Sequence, residues 1–365
     1  MRRKAGRSGL TGKPVGPLPK GARGLALALL LACSSAPLEG RTPPGRVVFY
    51  NVENLFDTRD DTLALDDEFT PRGEKRWTRA RYEAKLLRVA RVVRAAGGEE
   101  CPLLVGLAEV ENRRVLRDLA ARTSLAGAGY GVLHRDSPDP RGMDVALLYR
   151  REWFRVVDSA FLRVPLSPDS TRDILYCEGV LAGRDTLHVF VCHFPSMRGG
   201  ERRSEWKRGR AASVLRAKID SLQRARPSAA VLVMGDFNGA FGTPALRLLR
   251  LRDPGPLAAG ASGRLACADT VLYDTGCWLR RTGRGTYRYQ GRWQTLDHIV
   301  VSGSLLNGAR PLRAASRLAV FDAGFLLETD RSSFGRKPFR TYAGPRYLGG
   351  YSDHLPVYIE LSFGK

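Results

Sequence analysis

The sequence predicts an α/β fold built in layers. Three observations carry this. Short apolar runs rich in β-branched residues recur along the chain, segments of helical period lie between them, and some gaps between runs are only hairpin length. One doubly wound parallel sheet would need a long crossover between every pair of strands, so the short gaps favour mixed sheets.

In chain order, Val47–Tyr50, Leu103–Leu107, Val145–Tyr149, Leu187–Val191, Ala230–Met234, Ile299–Val301 and Pro356–Leu361 read as strands. Thr78 is placed to cap a helix on which Tyr82, Leu86, Val89 and Val93 share a face, and Gly97 with Gly98 ends it. A second helix reads from a cap at Ser204 through Ala211, Val214, Leu215, Ile219 and Leu222 to a stop at Pro227. No repeat or low-complexity tract follows residue 46, and residues 46–362 read as one catalytic domain. That length is enough for a two-sheet core to stand alone.

The first 45 residues read as address rather than fold. Seven Lys and Arg residues, with no acid before Glu39, precede the apolar run Leu25–Leu31 and then Ala32-Cys33. The run is shorter than the ~20 residues needed to span a bilayer, so residues 1–33 read as an export signal. Leu30-Leu31-Ala32-Cys33 is similar to a bacterial lipoprotein cleavage box, which implies a lipid on Cys33, with residues 34–45 as a proline-containing tether. The expected location is extracytoplasmic, secreted or membrane-anchored. Five cysteines remain after Cys33 and none forms a CxxC pair, so a zinc site is not expected. Cys267 and Cys277 are close enough in sequence to close a loop, and the others read as buried thiols.

A hydrophobic content of 43% excludes global disorder, whereas the net charge of +22 is unusual. The excess is mostly arginine. It fits either attraction to a polyanion such as nucleic acid or an anionic membrane surface, or the amino-acid usage that GC-rich coding imposes.

Chemistry collects at the strand ends. Val47–Tyr50 runs into Asn51-Val52-Glu53-Asn54, Leu103–Leu107 into Ala108-Glu109, Leu187–Val191 into Cys192-His193, and Ala230–Met234 into Gly235-Asp236-Phe237-Asn238. Asp297-His298 opens the strand through Val301, and Ser352-Asp353-His354 precedes the last one. Side chains two apart on extended chain share a face, so Asp236 and Asn238 point together and Phe237 points away. His193 continues the face of Val189 and Val191 out of the core, and His298 points away from Asp297 and reads as structural. Each segment alone could be a turn; six in order, holding three of the five histidines, point to one cleft.

This ordered set resembles the endonuclease/exonuclease/phosphatase superfamily over about residues 46–362. The runs Asn51–Asp57 and Tyr347–Pro356 are similar to a secreted or lipoprotein branch common in Bacteroidetes. The resemblance implies a four-layer α/β sandwich, two packed mixed sheets flanked by helices. It also implies hydrolysis of phosphate esters with Mg²⁺, or Mn²⁺, near Asn51, Glu109 and Asp353. His354 would sit at the scissile phosphate, oriented by Asp297; Asp236 and Asn238 would position the attacking water, and His193 would donate to a phosphate oxygen. Either Asp236 or His354 could take the proton. His193-Phe-Pro-Ser196-Met-Arg198 is similar to the His-x-x-Ser-x-Arg pattern of secreted bacterial nucleases, which gives Ser196 and Arg198 a possible phosphate contact; a turn of small residues is the other reading. Arg79, Arg81, Arg202, Arg203, Lys207, Arg208 and Arg210 read either as a backbone-binding face or as solvated helix surface.

The leading expectation is therefore an extracytoplasmic nuclease or phosphodiesterase. A phospholipid or sugar-phosphate esterase of the same chemistry is second. A binding protein on a retained scaffold is third, since a buried acid–imidazole cluster costs stability and has no structural return. Nothing in the sequence calls for an obligate protein partner.

Overall fold

The structure is a computed structural model and describes residues 45–255 and 267–364. The leader, Cys33 and the tether up to residue 44 lie outside the described residues.

The strands are β1 (Gly45–Leu55), β2 (Leu104–Val110), β3 (Tyr130–Leu133), β4 (Asp144–Arg150), β5 (Phe154–Leu162), β6 (Ile174–Leu181), β7 (Asp185–His193), β8 (Ala230–Asp236) and β9 (Leu272–Asp274). They continue as β10 (Tyr287–Tyr289), β11 (Arg292–Gln294), β12 (Asp297–Ser302), β13 (Leu312–Ala314), β14 (Ala319–Val320), β15 (Leu327–Thr329), β16 (Arg336–Pro338), β17 (Tyr342–Ala343), β18 (Arg346–Tyr347) and β19 (Val357–Phe363). Helices are α1 (Arg79–Ala96), α2 (Arg113–Ala121), α3 (Glu201–Ala225) and the single turn α4 (Pro244–Arg247).

Two large mixed sheets result. One runs β13-β19-β1-β2-β4-β3 with β14 beside β19; the other runs β5-β6-β7-β8-β12-β9. Only β1–β2 and β7–β8 are parallel within them, and each of these two pairs is joined by a crossover holding a long helix, α1 or α3. The sheets face each other closely: a Cβ on Gly106 of β2 would lie 2.6 Å from the Met234 sulfur of β8, so a side chain there would push the layers apart. α1 and α2 bury Tyr82, Leu86, Val89, Val93, Leu116 and Leu119 on the outside of the first sheet. α3 and α4 bury Ala211, Leu215, Ile219 and Leu246 on the outside of the second. Helix, sheet, sheet and helix are the four layers.

All seven predicted strands are present. α1 is capped as its sequence dictates, with the Thr78 side chain accepting from the Arg81 N–H and Gly97 at its end. α3 starts four residues earlier than expected: Gly200 holds the cap position, and the Ser204 hydroxyl donates back to the Gly200 carbonyl at 2.9 Å instead of capping. The five described cysteines are free thiols, so the Cys267–Cys277 bridge is absent.

Topology explains why polar groups meet. β1, β2, β7 and β8 all run towards one rim of the sandwich, while β12 and β19, antiparallel to β8 and β1, start there. The carboxyl ends of four strands and the amino ends of two therefore share that rim, which is where Asn51, Glu109, His193, Asp236, Asp297 and His354 lie.

Candidate active site

Local backbone irregularities aim the acids. The β1–β2 ladder slips between Asn51 and Leu55, and the β2–β4 ladder slips between Ala108 and Val110. Glu53, Asn54 and Glu109 adopt left-handed backbone, with φ of 51°, 57° and 63°. Such conformations are costly for non-glycine residues and persist where surroundings hold them. The bulge at Glu109 turns a side chain that would otherwise follow the ladder into the cleft. There Glu109 accepts from Asn51 Nδ2 at 3.3 Å and from the Asn54 N–H at 3.1 Å.

The β8–β12 register pairs Asp236 with Asp297, and β7 places His193 beside Asp236. His354 Nδ1 donates to Asp297 Oδ2 at 2.8 Å, and its Nε2 stands 3.8 Å from Asp236 Oδ2. Burial disfavours the imidazolium, but the Asp297 and Asp236 carboxylates and the hydrogen bond to Asp297 outweigh it and hold His354 well above the usual imidazole range. Asp236 is pushed up to about 7, by burial and then by Asp297, against the pull of His354. Its oxygens are fixed by the Asn238 N–H at 2.8 Å and Asn51 Nδ2 at 3.1 Å. Asn238, left-handed at φ 45°, turns its amide to the Phe194 carbonyl at 3.0 Å. Ser352 holds the arrangement together, donating to the Asn51 carbonyl at 2.7 Å and accepting from the His354 N–H at 3.0 Å.

The Asn51 Oδ1 accepts the Glu53 N–H at 3.1 Å, and its NH₂ faces Glu109 and Asp236. Glu109 and Asp353 bring carboxylate oxygens to the same wall. The His193 Nε2 lies 3.2 Å from Arg172 Nη2, and because a guanidinium only donates, that nitrogen accepts from it. Burial, and next to it Arg172 and Arg141, hold His193 well below the usual range, in the neutral form.

Arg172 was missed. It is almost fully buried, its Nη1 donates to Asp139 at 3.0 Å, and nothing in the sequence separates it from the other 58 basic residues. Arg141 shares Asp139, at 3.6 Å. Of the basic residues considered for a binding face, Arg208 is buried and donates to Ser204 and the Glu201 carbonyl, and Arg81 donates to the carbonyls of Lys75 and Arg76; these two are structural. His298 is structural as expected, between Asp274 at 2.8 Å and the Gly239 carbonyl at 3.0 Å.

Two clefts open onto this rim. One, about 620 Å³, is lined by Glu109, Arg172, His193, Asp236, Asn238 and His354, with Ser196, Arg198 and Tyr287 around them. The second, about 430 Å³, is lined by Glu53, Phe56, Lys75, Arg340 and Tyr342. Glu109, Arg141, Arg198 and Asp353 line both. Donor atoms of Asp236, Asp297 and His354 also converge closely enough to hold an ion, with His354 Nδ1 already donating to Asp297. Carboxylate oxygen at Glu109 and Asp353 suits a hard divalent ion that keeps most of its waters.

Two facing mixed sheets with acids and a carboxylate-oriented histidine at one rim define a class: metal-dependent hydrolases of phosphate esters. The sequence matches the description "Endonuclease/Exonuclease/phosphatase family" over residues 46–363, and the chain belongs to that family. Its fold is similar to that of an endonuclease/exonuclease/phosphatase family protein from Bacteroides thetaiotaomicron, at 17% identity and TM-score 0.54, covering 89% of this chain and 99% of that one. It is also similar to the mannosyl-6-phosphatase Bt3783 of the same organism, at 17% identity and TM-score 0.52, covering 87% and 99%. A humanized D. rerio TDP2 is similar at 17% identity and TM-score 0.50, covering 87% and 98%. No curated protein matches the sequence.

Proposed function

We propose that the chain is a magnesium-dependent phosphodiesterase acting outside the cytoplasm, with nucleic acid as its leading substrate. The observation that carries the diester reading is the meeting of two clefts at Glu109 and Asp353. A diester has a substituent on each side of the reacting phosphorus, and each substituent then has a cleft to occupy. The net charge of +22 supports a polyanion, and Ser196 and Arg198, on the wall of the larger cleft, would meet its phosphates. Residues 1–33 support export, and Cys33 supports a lipid anchor.

Protonation states assign the roles. When bound at Glu109 and Asp353, a divalent ion supplies Lewis acidity to a phosphate oxygen. Asp236 is the base: burial raises its affinity for a proton to a value useful near neutrality, and its carboxylate is held still by Asn51 and Asn238. His354, kept charged by Asp297, faces the developing negative charge and can pass a proton to an oxygen there. Arg172 offers N–H groups at the wall beside His193.

Supercoiled plasmid and bis-p-nitrophenyl phosphate separate the substrates. Nicking of plasmid that weakens steeply with added salt supports nucleic acid. Turnover of the small diester with plasmid intact moves the substrate to a small or lipid-linked ester, and turnover of neither sinks the diesterase reading.

A further inference from the structure

Arg340 lies in the second cleft and binds two acids at once. Its Nη2 donates to Asp353 Oδ2 at 2.8 Å and its Nε to Glu53 Oε1 at 3.4 Å. The other oxygen of Glu53, a residue only 3% exposed, takes the Thr341 N–H at 2.7 Å. Thr341 in turn accepts from Lys85 Nζ, a buried cation also held by the Tyr351 carbonyl, both at 2.6 Å.

The consequence is in the supply of oxygen. Glu53, Glu109 and Asp353 line one cleft, and three carboxylates there would suffice for two hard cations. Paired ions in phosphoryl-transfer sites stand about 3.5–4 Å apart and need donors enough for both. Here both oxygens of Glu53 and one of Asp353 are already bound by groups of the chain itself. Glu53 and one oxygen of Asp353 therefore answer a cation of the chain itself, whereas the oxygens of Glu109 accept only from neutral groups, Asn51 Nδ2 and the Asn54 N–H. The charge of Glu109 and the second oxygen of Asp353 remain, a donor set for one ion that keeps its waters.

We propose that Arg340 is the site's built-in second cation, so that this chain works with a single divalent ion. The inference rests on the reading that Glu109 and Asp353 hold that ion. The guanidinium supplies fixed positive charge between Glu53 and Asp353, and unlike a second ion it carries no water to activate. Arg340 is in this sense a positioning residue: it fixes how many ions enter and which oxygen of Asp353 is free to meet one.

Titration of the full chain with Mn²⁺, following the EPR signal of the free ion, tests this without any turnover. The wild type is expected to take up one ion per chain. Arg340→Met, which leaves Glu53 and Asp353 unpaired, is expected to take up two, and Arg340→Lys, which keeps the charge, to remain at one. Two ions in the wild type, alongside metal-dependent activity, overturn the inference and leave the diesterase reading standing. An Arg340→Met protein with wild-type circular dichroism that still binds one ion also overturns it. No ion bound by the wild type overturns both. Because the wild-type count can by itself sink the inference, the outcome does not hang on the folding of a variant.

Discussion

Asp297 never needs to touch substrate to matter. Its carboxylate holds His354 Nδ1 at 2.8 Å, fixing the ring's direction, and its charge helps lift His354 well above the usual range and Asp236 to about 7. Asp236 must be ionised to act as base, so kcat/KM should fall as pH drops below about 7. His354 must keep its proton, so the alkaline limb should appear only where that proton is lost. Asp297→Asn removes the charge and keeps the shape. The variant should lose on the order of 10²–10⁴ in rate, with the alkaline limb of its pH profile moved to lower pH. An unchanged profile would show that Asp297 does not set the charge on His354. Arg172, Arg340 and Glu53 show the limit of reading at this scale. Glu53 lies inside a segment the sequence marks, but both arginines look like any surface residue, and only three-dimensional placement separates them from the rest.

At the scale of elements, β12 points two neighbouring residues to opposite sides. Asp297 faces His354, while His298 faces the other way, stacked 5.1 Å from Phe237, which stacks 4.9 Å from Phe194. Both ring nitrogens of His298 meet acceptors, Asp274 on β9 and the Gly239 carbonyl just past Asn238, so this histidine is a buried cation. Burial opposes that charge, but Asp274 and the two hydrogen bonds outweigh it and raise the folded-state value. The sign follows: the stabilisation is complete below the unfolded value of about 6.5 and is lost as pH rises through the folded one. His298→Leu should therefore cost about 3–5 kcal/mol in urea unfolding at pH 6, and less at pH 9. An equal cost at both would mean the ring is neutral in the fold. The alternation of side chains predicted the opposite facing of Asp297 and His298, because a strand's period is fixed. Strands with one buried face and clean ends were legible for the same reason. β5 was not, since much of it is exposed and its pattern is weak, and the nine residues of α2 are too few for periodicity to speak.

For the whole molecule, the order of motifs along the chain foretold the site better than any single motif. Two parallel pairs, each with a crossover helix, bring four strand ends to one rim, and the two antiparallel returns start there, so polar residues at six strand ends must converge. The clefts were illegible because their walls are assembled from distant segments. Tyr287, for example, reaches over the His354 ring at 4.9 Å from the β10–β11 hairpin. The bulges that aim Glu53 and Glu109 were equally hidden, since neither residue is a glycine that would announce left-handed backbone. The central claim is that acids at Glu109 and Asp353 and the Asp297–His354–Asp236 chain act together on a phosphate ester. The most direct test is hydrolysis of bis-p-nitrophenyl phosphate by wild type and His354→Ala, each with Mg²⁺ and with EDTA. Turnover by the wild type with Mg²⁺, abolished by EDTA and lowered on the order of 10²–10⁴-fold in His354→Ala, is the expected result. Wild-type rates in the variant, or turnover that ignores EDTA, would contradict the account.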